Sequence, residues 1–211
     1  MRVAFYYHSA PNKDSIEFFD WMMGAAVESV RKHMPNSVIW HLKGPSVERR
    51  NDVDESLELR DMHRAEHCAL LGAGDTLFLD IDVIVQGDVS SVFDSPFDIA
   101  LAVRPKKDAA DWKRIPYNGG AIFSRCPAFW RGLDAMVRTE NYPQSDVPLN
   151  RYIGTSSHAV LNLSDRYNHA PQSLDEDLTG QAIVHWKGEK RKRWMRERYD
   201  PEHAERILEG V

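Results

Sequence analysis

Two carboxylates interrupt an otherwise apolar segment near the middle of the 211-residue chain. The segment is Thr76 to Val85, TLFLDIDVIV, and its acidic residues are Asp80 and Asp82. Because a carboxylate buried without a partner costs several kcal/mol, we expect this pair to meet a cation, hydrogen-bond donors or an open strand end. Side chains two residues apart on an extended backbone point the same way, so both carboxylates could address one divalent ion.

The Asp-x-Asp spacing is not specific by itself, since the sequence contains three such triplets. Asp52-Val53-Asp54 and Asp175-Glu176-Asp177 lie in polar surroundings, which indicate solvated loop or helix surface. Only Asp80-Ile81-Asp82 lies between apolar runs, and this setting makes it the candidate metal-binding pair. The alternative is that the pair caps an element or forms ion pairs within the fold.

A histidine far downstream is the third candidate ligand. His185 follows the apolar pair Ile183-Val184 and precedes Trp186-Lys187-Gly188. A lone histidine on an apolar strand is more often a core residue than a ligand, but the basic segment that follows favours a ligand here. Asp80, Asp82 and His185 would give a mixed oxygen and nitrogen ligand set, which suits Mn²⁺ and tolerates Mg²⁺.

The basic residues of the chain are concentrated after this histidine. Residues 186–199 contain seven Lys/Arg and two Asp/Glu, whereas the whole chain has a net charge of −5. Such a segment can neutralise a nucleotide, a nucleic acid or lipid headgroups, or can simply form a solvated helical face. The acidic remainder and the lack of a nucleic-acid-binding motif argue against nucleic acid, so we expect no such partner. We predict that residues 190–211 form a basic, helical C-terminal tail.

Several separated landmarks resemble the retaining glycosyltransferases of family 8, which have the GT-A fold and transfer sugars from nucleotide-diphosphate donors. Leu79 to Val85, followed by Gly87-Asp88, resembles the family's metal-binding block. Ile183 to Gly188 resembles its apolar-His-x-x-Gly element, whose histidine is the third protein ligand of the metal. The resemblance implies that Asp80 contacts the ribose or the metal, and that Asp82 and His185 bind the metal.

Three further landmarks concern the donor sugar. Arg64 is similar to the family's sugar-contacting arginine, although it lies about one residue closer to the acidic pair than usual. Tyr117-Asn118-Gly119-Gly120 resembles the aromatic-Asn-x-Gly turn whose asparagine contacts the sugar. Asp146, in a segment ending at Asn150, matches the family's acid-Gln block only in part, because no glutamine follows the acid. The resemblance therefore implies Arg64, Asn118 and Asp146 as the residues that act on the donor sugar.

The remainder of the donor is expected to meet the end of the first strand and the basic segment. The aromatic residues at the end of the first strand could stack on the nucleotide base, or they could simply pack in the core or at its rim. The family's lysine six residues after the histidine is replaced by Arg191, so the basic residue that contacts the diphosphate is left open. The expected cofactor-binding residues are Tyr7, His8, Ser9, Asp80, Lys187, Gly188, Arg191 and Lys192.

The order of apolar runs and amphipathic segments predicts an α/β fold, a GT-A-like single domain over residues 1–211 with a mixed, mostly parallel sheet flanked by helices. Predicted strands are Val3–Tyr7, Ser37–Leu42, Thr76–Val85, Ile99–Val103, Gly120–Ser124, His158–Leu163 and Ala182–Trp186. Predicted helices run from Asp14 or Ser15 to about Met34, over residues 56–71, and from Pro127 to about Thr139. Lys106–Pro116 is predicted as a loop.

Composition excludes several classes of protein. Two cysteines are too few for a disulfide framework or a zinc site built from cysteines. No apolar stretch approaches the roughly 18 to 20 residues of a membrane-spanning helix, and Met1-Arg2 leads into Val3 to Tyr7 without the basic region of a leader peptide. We therefore expect a cytoplasmic protein without a transmembrane segment.

Taken with the resemblance, these features predict a metal-dependent glycosyltransferase that uses a UDP-sugar donor, an unknown acceptor and a retaining mechanism. A phosphatase of the haloacid dehalogenase type is an alternative, with Asp80 as nucleophile and Asp82 as acid and base. A non-catalytic nucleotide-sugar binding module is the other alternative.

Overall fold

The computed structural model describes residues 1–7, 16–59, 65, 68, 69, 71, 74–105, 115–140 and 146–200. Over these residues the chain forms a seven-stranded sheet and a separate two-stranded ladder. The large sheet contains β1 (Arg2–Tyr7), β2 (Val38–Lys43), β3 (Glu55–Glu58), β4 (Thr76–Leu79), β6 (Ile99–Val103), β7 (Tyr117–Ser124) and β8 (Val160–Leu163). The ladder contains β5 (Val83–Val85) and β9 (Ile183–His185).

The large sheet is mixed and mostly parallel, as predicted. Its order is β3-β2-β1-β4-β7-β6-β8. Strands β3, β2, β1 and β4 are mutually parallel, β8 is parallel to β6, and β7 is antiparallel to both β4 and β6. The chain leaves β1 towards β2 on one side and later adds β4 on the other side. Ligands of such sheets bind beyond the carboxyl ends of strands where the order reverses, and Asp80 directly follows β4 at that position.

Helices cover both faces of the sheet. They are α1 (Ile16–His33), α2 (Pro127–Glu140), α3 (Asp146–Thr155) and α4 (Glu189–Tyr199). Alternate residues of β1 enter two different cores, since Val3 and Phe5 pack in the cluster that includes α1, whereas Ala4 packs in the cluster that includes α2. This alternation follows from the two-residue period of a strand, and it places the sheet between two helical layers.

The predicted strand Thr76–Val85 is in fact two strands in different sheets. Its backbone leaves the large sheet after Leu79, turns through Asp80–Asp82, and enters the ladder at Val83. Asp80 N donates to Gly120 O at 2.9 Å, and Trp186 N donates to Asp82 O at 2.8 Å. The prediction of one strand was wrong because the apolar pattern is the same on both sides of the turn. The turn places both carboxylates beyond the carboxyl end of β4, outside the hydrogen-bonded strands of the large sheet.

The predicted helix over residues 56–71 was also wrong at its beginning. Glu55–Glu58 is a strand parallel to β2, and Leu59 N extends the pairing by donating to Lys43 O at 2.8 Å. Of the other residues in that range that the structure describes, 65, 68 and 69 are helical. Pairing with β2 overrides the local helical pattern.

Most other predicted elements lie within three residues of the observed bounds. The exception is Tyr117–Gly120, interpreted as a turn, which forms the first half of β7. The predicted start of α1 at Asp14 or Ser15, most of the Lys106–Pro116 loop and residues 201–211 of the predicted tail lie outside the described residues. Among the described residues, no helix has the length and apolar character needed to cross a membrane.

Candidate metal and donor site

The Asp80–Asp82 turn and the end of β9 meet at one point. The ladder pairs Val83 with His185. His185 Nε2 consequently lies 3.3 Å from Asp82 Oδ1 and 3.8 Å from Asp80 Oδ2. The three ligand atoms all lie within 4.8 Å of one another. The structure therefore brings together the three residues that the sequence predicts as metal ligands.

The buried ring of His185 lies against two asparagines, of which Asn168 is the nearer. Its Nδ1 lies 2.9 Å from Asn168 Oδ1 and 3.5 Å from Asn118 Nδ2. Asn168 Nδ2 in turn donates to Asn118 O at 3.0 Å. When Nδ1 carries the hydrogen and donates it to Asn168, the lone pair of Nε2 faces the two carboxylates. Such support on the far nitrogen is typical of metal-binding histidines.

A glycine makes room for this ring. A Cβ built on Gly120 would lie 2.9 Å from His185 Nε2 and closer still to Cε1 and Nδ1. Because real Cβ atoms do not approach other atoms so closely, the ring can lie against β7 only where residue 120 has no side chain. Packing against the His185 ring therefore explains the glycine that ends the Asn118-Gly119-Gly120 pattern.

Asp82 is ionised within a buried group of charges. Its side chain is 9% exposed, whereas that of Asp80 is 32% exposed, so Asp80 forms the open side of the site. Lys192 Nζ lies 3.3 Å from Asp82 Oδ2. Burial alone would raise the pKa of Asp82, but the positively charged form of His185 and the ammonium group of Lys192 outweigh burial and hold this pKa well below its usual range.

A second acidic group lies beside this one. Asp146, the first residue of α3, accepts hydrogen bonds at Oδ2 from Arg104 Nη2 at 2.6 Å and from Lys187 Nζ at 2.7 Å. Its Oδ1 accepts a bond from Gly119 N at 3.2 Å. Burial acts to raise the pKa of Asp146. Lys187, and to a smaller extent Arg104, lower this pKa by more than burial raises it, so the net shift is downward.

The start of β7 connects the two acidic groups. Asn118 and Gly120 face His185, and Gly119 between them faces Asp146, as the alternation of a strand requires. Asn150 fixes this segment by accepting from Tyr117 N at 2.7 Å and donating to Tyr117 O at 3.0 Å. Asn118, Asp146 and the three candidate ligands thus form one continuous site.

The basic residues after His185 have different positions. Lys187 and Lys192 each lie beside a carboxylate of the site. Arg191 instead donates from Nε to Pro171 O at 2.5 Å and from Nη1 to Lys187 O at 3.3 Å. Gly188 has φ +87° and allows the chain to turn from β9 into α4. Of these three predicted basic residues, Lys187 and Lys192 therefore lie at the carboxylates of the site, whereas Arg191 is bonded to backbone carbonyls.

The end of the first strand is buried at Tyr7. Tyr7 is 3% exposed, and its ring centroid lies 6.0 Å from that of Phe19 and 5.9 Å from that of His41. Burial, with a smaller contribution from Asp20, raises the pKa of Tyr7 to about 12. These contacts favour core packing of Tyr7 over stacking on a base. The other predicted residues His8, Ser9 and Arg64 lie outside the described residues.

Two residues of the site were missed by the sequence analysis. Arg104 follows the apolar run of β6 directly, and a charge at a strand end is a signal that could have identified it. Asn168 lies in a polar stretch without a recognisable pattern, so only its contact with His185 in the fold reveals it.

The strand order, the Asp-x-Asp turn after β4 and the helices on both faces define a GT-A-like α/β fold. No protein-family model matches the chain, and a comparison with curated protein sequences finds no match. Solved structures of glycosyltransferases do match it over nearly its full length.

Three of these structures illustrate the likeness. The galactosyltransferase LgtC, solved with donor and acceptor sugar analogs, is 13% identical with a TM-score of 0.64, and the match covers 100% of this chain and 96% of LgtC. GlyE of Streptococcus pneumoniae TIGR4 is 16% identical with a TM-score of 0.67, covering 99% of this chain and 64% of GlyE. The bifunctional WbbM is 12% identical with a TM-score of 0.63, covering 99% of this chain and 51% of WbbM. The likeness establishes the GT-A-like fold, and it gives no support to a phosphatase.

Proposed function

We propose that this protein is a metal-dependent glycosyltransferase that moves a sugar from a nucleotide-diphosphate donor, a UDP-sugar, to an acceptor with retention of configuration. The observation that supports it most is the convergence of Asp80, Asp82 and His185 beyond the carboxyl end of β4 in a GT-A-like fold. Because the side chain of Asp80 is partly exposed, a donor can reach these three candidate ligands from solvent.

The three side chains fit a divalent metal ion. Ligand atoms about 2.1 Å from an octahedral ion are about 3 Å apart, and the observed separations of 3.3 and 3.8 Å from His185 Nε2 need only a small adjustment. Two carboxylates and one imidazole suit Mn²⁺ and tolerate Mg²⁺. Asp80, Asp82 and His185 would hold the ion, which supplies positive charge to the diphosphate of the donor.

Lys187 and Lys192 are the proposed contacts of the departing phosphate. In sugar transfer the phosphate oxygen that leaves gains negative charge, and cations positioned before the reaction stabilise that charge most. Both lysines are already held beside carboxylates, at 2.7 Å for Lys187 and 3.3 Å for Lys192. A charge-assisted hydrogen bond of this kind contributes about 1 to 3 kcal/mol.

Asn118 and Asp146 are the proposed contacts of the donor sugar. Asp146 is ionised and can accept hydrogen bonds from sugar hydroxyls, and Arg104 and Lys187 keep its carboxylate in place. Asn118 Nδ2 lies 3.5 Å from His185 Nδ1, and Gly119, the next residue, bonds to this carboxylate. Attack of the acceptor on the same face as the departing phosphate would give retention without a nucleophile from the chain.

The test combines ligand binding with product analysis. The purified protein is incubated with a panel of nucleotide sugars, with Mn²⁺ or with EDTA, and thermal unfolding is followed. A ligand at 100 times its Kd stabilises by about 2.7 kcal/mol, and we expect such a shift for a UDP-sugar only with Mn²⁺. NMR of the released or transferred sugar gives its anomeric configuration, and inversion would contradict the retaining mechanism.

Matched variants locate the site. Asp82→Asn should abolish both the metal-dependent shift and turnover, whereas Asp175→Asn, at an exposed acid of another Asp-x-Asp triplet, should leave both unchanged. Binding without turnover would indicate a donor-binding module. Release of phosphate from an aryl phosphate, lost in Asp80→Asn, would indicate a phosphatase and contradict the proposal.

A further inference from the structure

A second group of side chains that could hold a metal ion lies at the opposite end of the large sheet. Asp98 immediately precedes β6, Cys126 follows β7 by two residues, and His158 precedes β8 by two residues. The candidate donor site adjoins the other end of β7. At about 3.4 Å per residue, the two ends of β7 are about 24 Å apart, so the two groups are separate.

The three ligand atoms of this group converge on one point. His158 Nδ1 lies 3.2 Å from Asp98 Oδ2 and 3.8 Å from Cys126 Sγ, and all three atoms lie within 4.8 Å of one another. Tetrahedral zinc, with bonds of about 2.1 Å to nitrogen or oxygen and 2.3 Å to sulfur, separates nitrogen from oxygen by about 3.4 Å and nitrogen from sulfur by about 3.6 Å. The observed distances are close to both values.

The same geometry disfavours a nucleophilic relay. In a Cys-His-Asp relay the thiol and the carboxylate contact different nitrogens of the imidazole. Here Asp98 and Cys126 both approach Nδ1 of His158. A shared nitrogen cannot accept from the thiol and donate to the carboxylate at once, whereas a metal ion at the common point satisfies all three atoms.

The backbone holds the three residues in place. Asp98 N donates to Ala159 O at 2.9 Å, Arg125 N donates to Asp98 O at 3.0 Å, and Ala159 N donates to Asp98 Oδ2 at 2.9 Å. These bonds connect the ends of β6 and β7 with the segment before β8. The site is thus built on paired strand ends and not on a free loop.

The His158 ring is also fixed by packing. Its centroid lies 5.4 Å from that of Phe129 and 6.2 Å from that of Tyr152. Asp98, Cys126 and His158 are all half-buried, so an ion can enter from solvent while the aromatic rings limit motion of the imidazole.

We propose that Asp98, Cys126 and His158 form a binding site for Zn²⁺, with water as the fourth ligand. A thiolate selects zinc over Mn²⁺ and Mg²⁺, which prefer oxygen ligands. The site is therefore chemically distinct from the acidic group at Asp80 and Asp82, and it does not depend on the proposed transferase activity.

Co²⁺ is the spectroscopic probe of this site. Titration of the purified protein with Co²⁺ should give one equivalent of a thiolate charge-transfer band with tetrahedral visible absorption, and Zn²⁺ but not Mg²⁺ should remove both. Cys126→Ser should abolish the band, and His158→Gln should weaken Co²⁺ binding by at least about tenfold. A wild-type protein without the band, or variants that keep it unchanged, would overturn the proposal.

Two control variants show whether the band arises at this site or elsewhere in the protein. Cys68→Ala tests the buried cysteine, and Asp82→Asn tests the other candidate metal site, and both variants should keep the band. If Cys126→Ser does not fold, alkylation of the wild-type protein by iodoacetamide replaces it. Stoichiometric Zn²⁺ should slow modification of Cys126 by at least about tenfold while Mn²⁺ does not, and an unchanged rate with Zn²⁺ would contradict the site.

Discussion

Asp82 divides its two carboxylate oxygens between His185 and Lys192. Oδ1 lies 3.3 Å from His185 Nε2, and Oδ2 lies 3.3 Å from Lys192 Nζ. Lys192 is also 5.3 Å from the ring centroid of Phe19, so its ammonium group is held between the carboxylate and α1. A metal ion bound at this site would therefore share Asp82 with the ammonium group of Lys192.

Gly120→Ala should destabilise the fold by about 1 to 3 kcal/mol, the usual cost of overpacking a filled site. The new methyl group would overlap the His185 ring. The measurement is urea unfolding followed by circular dichroism. Gly87→Ala is the control, because a Cβ there meets no atom within 4 Å. Equal stability of the two variants would show that the ring is free to move away.

Asn168→Ala should weaken Mn²⁺ binding by about 10- to 100-fold, the typical effect of removing the hydrogen-bond partner of a metal-binding histidine. The reason is loss of the 2.9 Å contact that orients His185 Nδ1. Calorimetric titration with Mn²⁺ in the presence of UDP measures the change. Asn162→Ala, which loses the bond from the exposed Tyr117 hydroxyl instead, should bind as the wild type does.

Lys187→Met should lower affinity for the nucleotide-sugar donor by about 10- to 100-fold, equivalent to a charge-assisted contact of about 1 to 3 kcal/mol. The control is Arg193→Gln on α4, whose side chain is 56% exposed and pairs loosely with Glu189 at 3.9 Å. Donor titration with each variant checks the difference. If both variants lose affinity equally, binding would depend on a diffuse basic field and not on a specific contact.

Asp146→Asn should make the free energy of unfolding vary less with pH in the acid range. The folded-state pKa of Asp146 is lowered, so its contribution to stability is present above the unfolded value of about 3.9 and is lost as pH falls through the folded value. The gap in the free energy of unfolding between wild type and variant should thus be largest near neutral pH and shrink below about pH 4. Urea unfolding at a series of pH values measures this gap, and a gap that stays constant would contradict the shift.

The sequence identified the three candidate ligands that the fold brings together, but not the groups that position them. Asp80, Asp82 and His185 were identifiable because polar residues are unusual between apolar runs, and that signal is local. The support from Asn168 and the pairing of Arg104 with Asp146 depend on segments that meet only in the folded chain. No local pattern contains such a contact.

The errors in the fold have the same origin. Thr76–Val85 is apolar on both sides of its turn, so composition gives no indication that its two halves join different sheets. Glu55–Glu58 is a strand because β2 offers it a neighbouring edge, not because of its own residues. In both places pairing between distant segments determines a structure that local preference leaves open.

The pairing of Val83 with His185 ties the geometry of the site to chain length. Adding or deleting one residue within β5 or β9 would turn the imidazole to the opposite face of the ladder, and a shift of two would displace it by about 7 Å. In the evolution of this chain, exchanges of one apolar side chain for another in these strands would be far better tolerated than insertions or deletions.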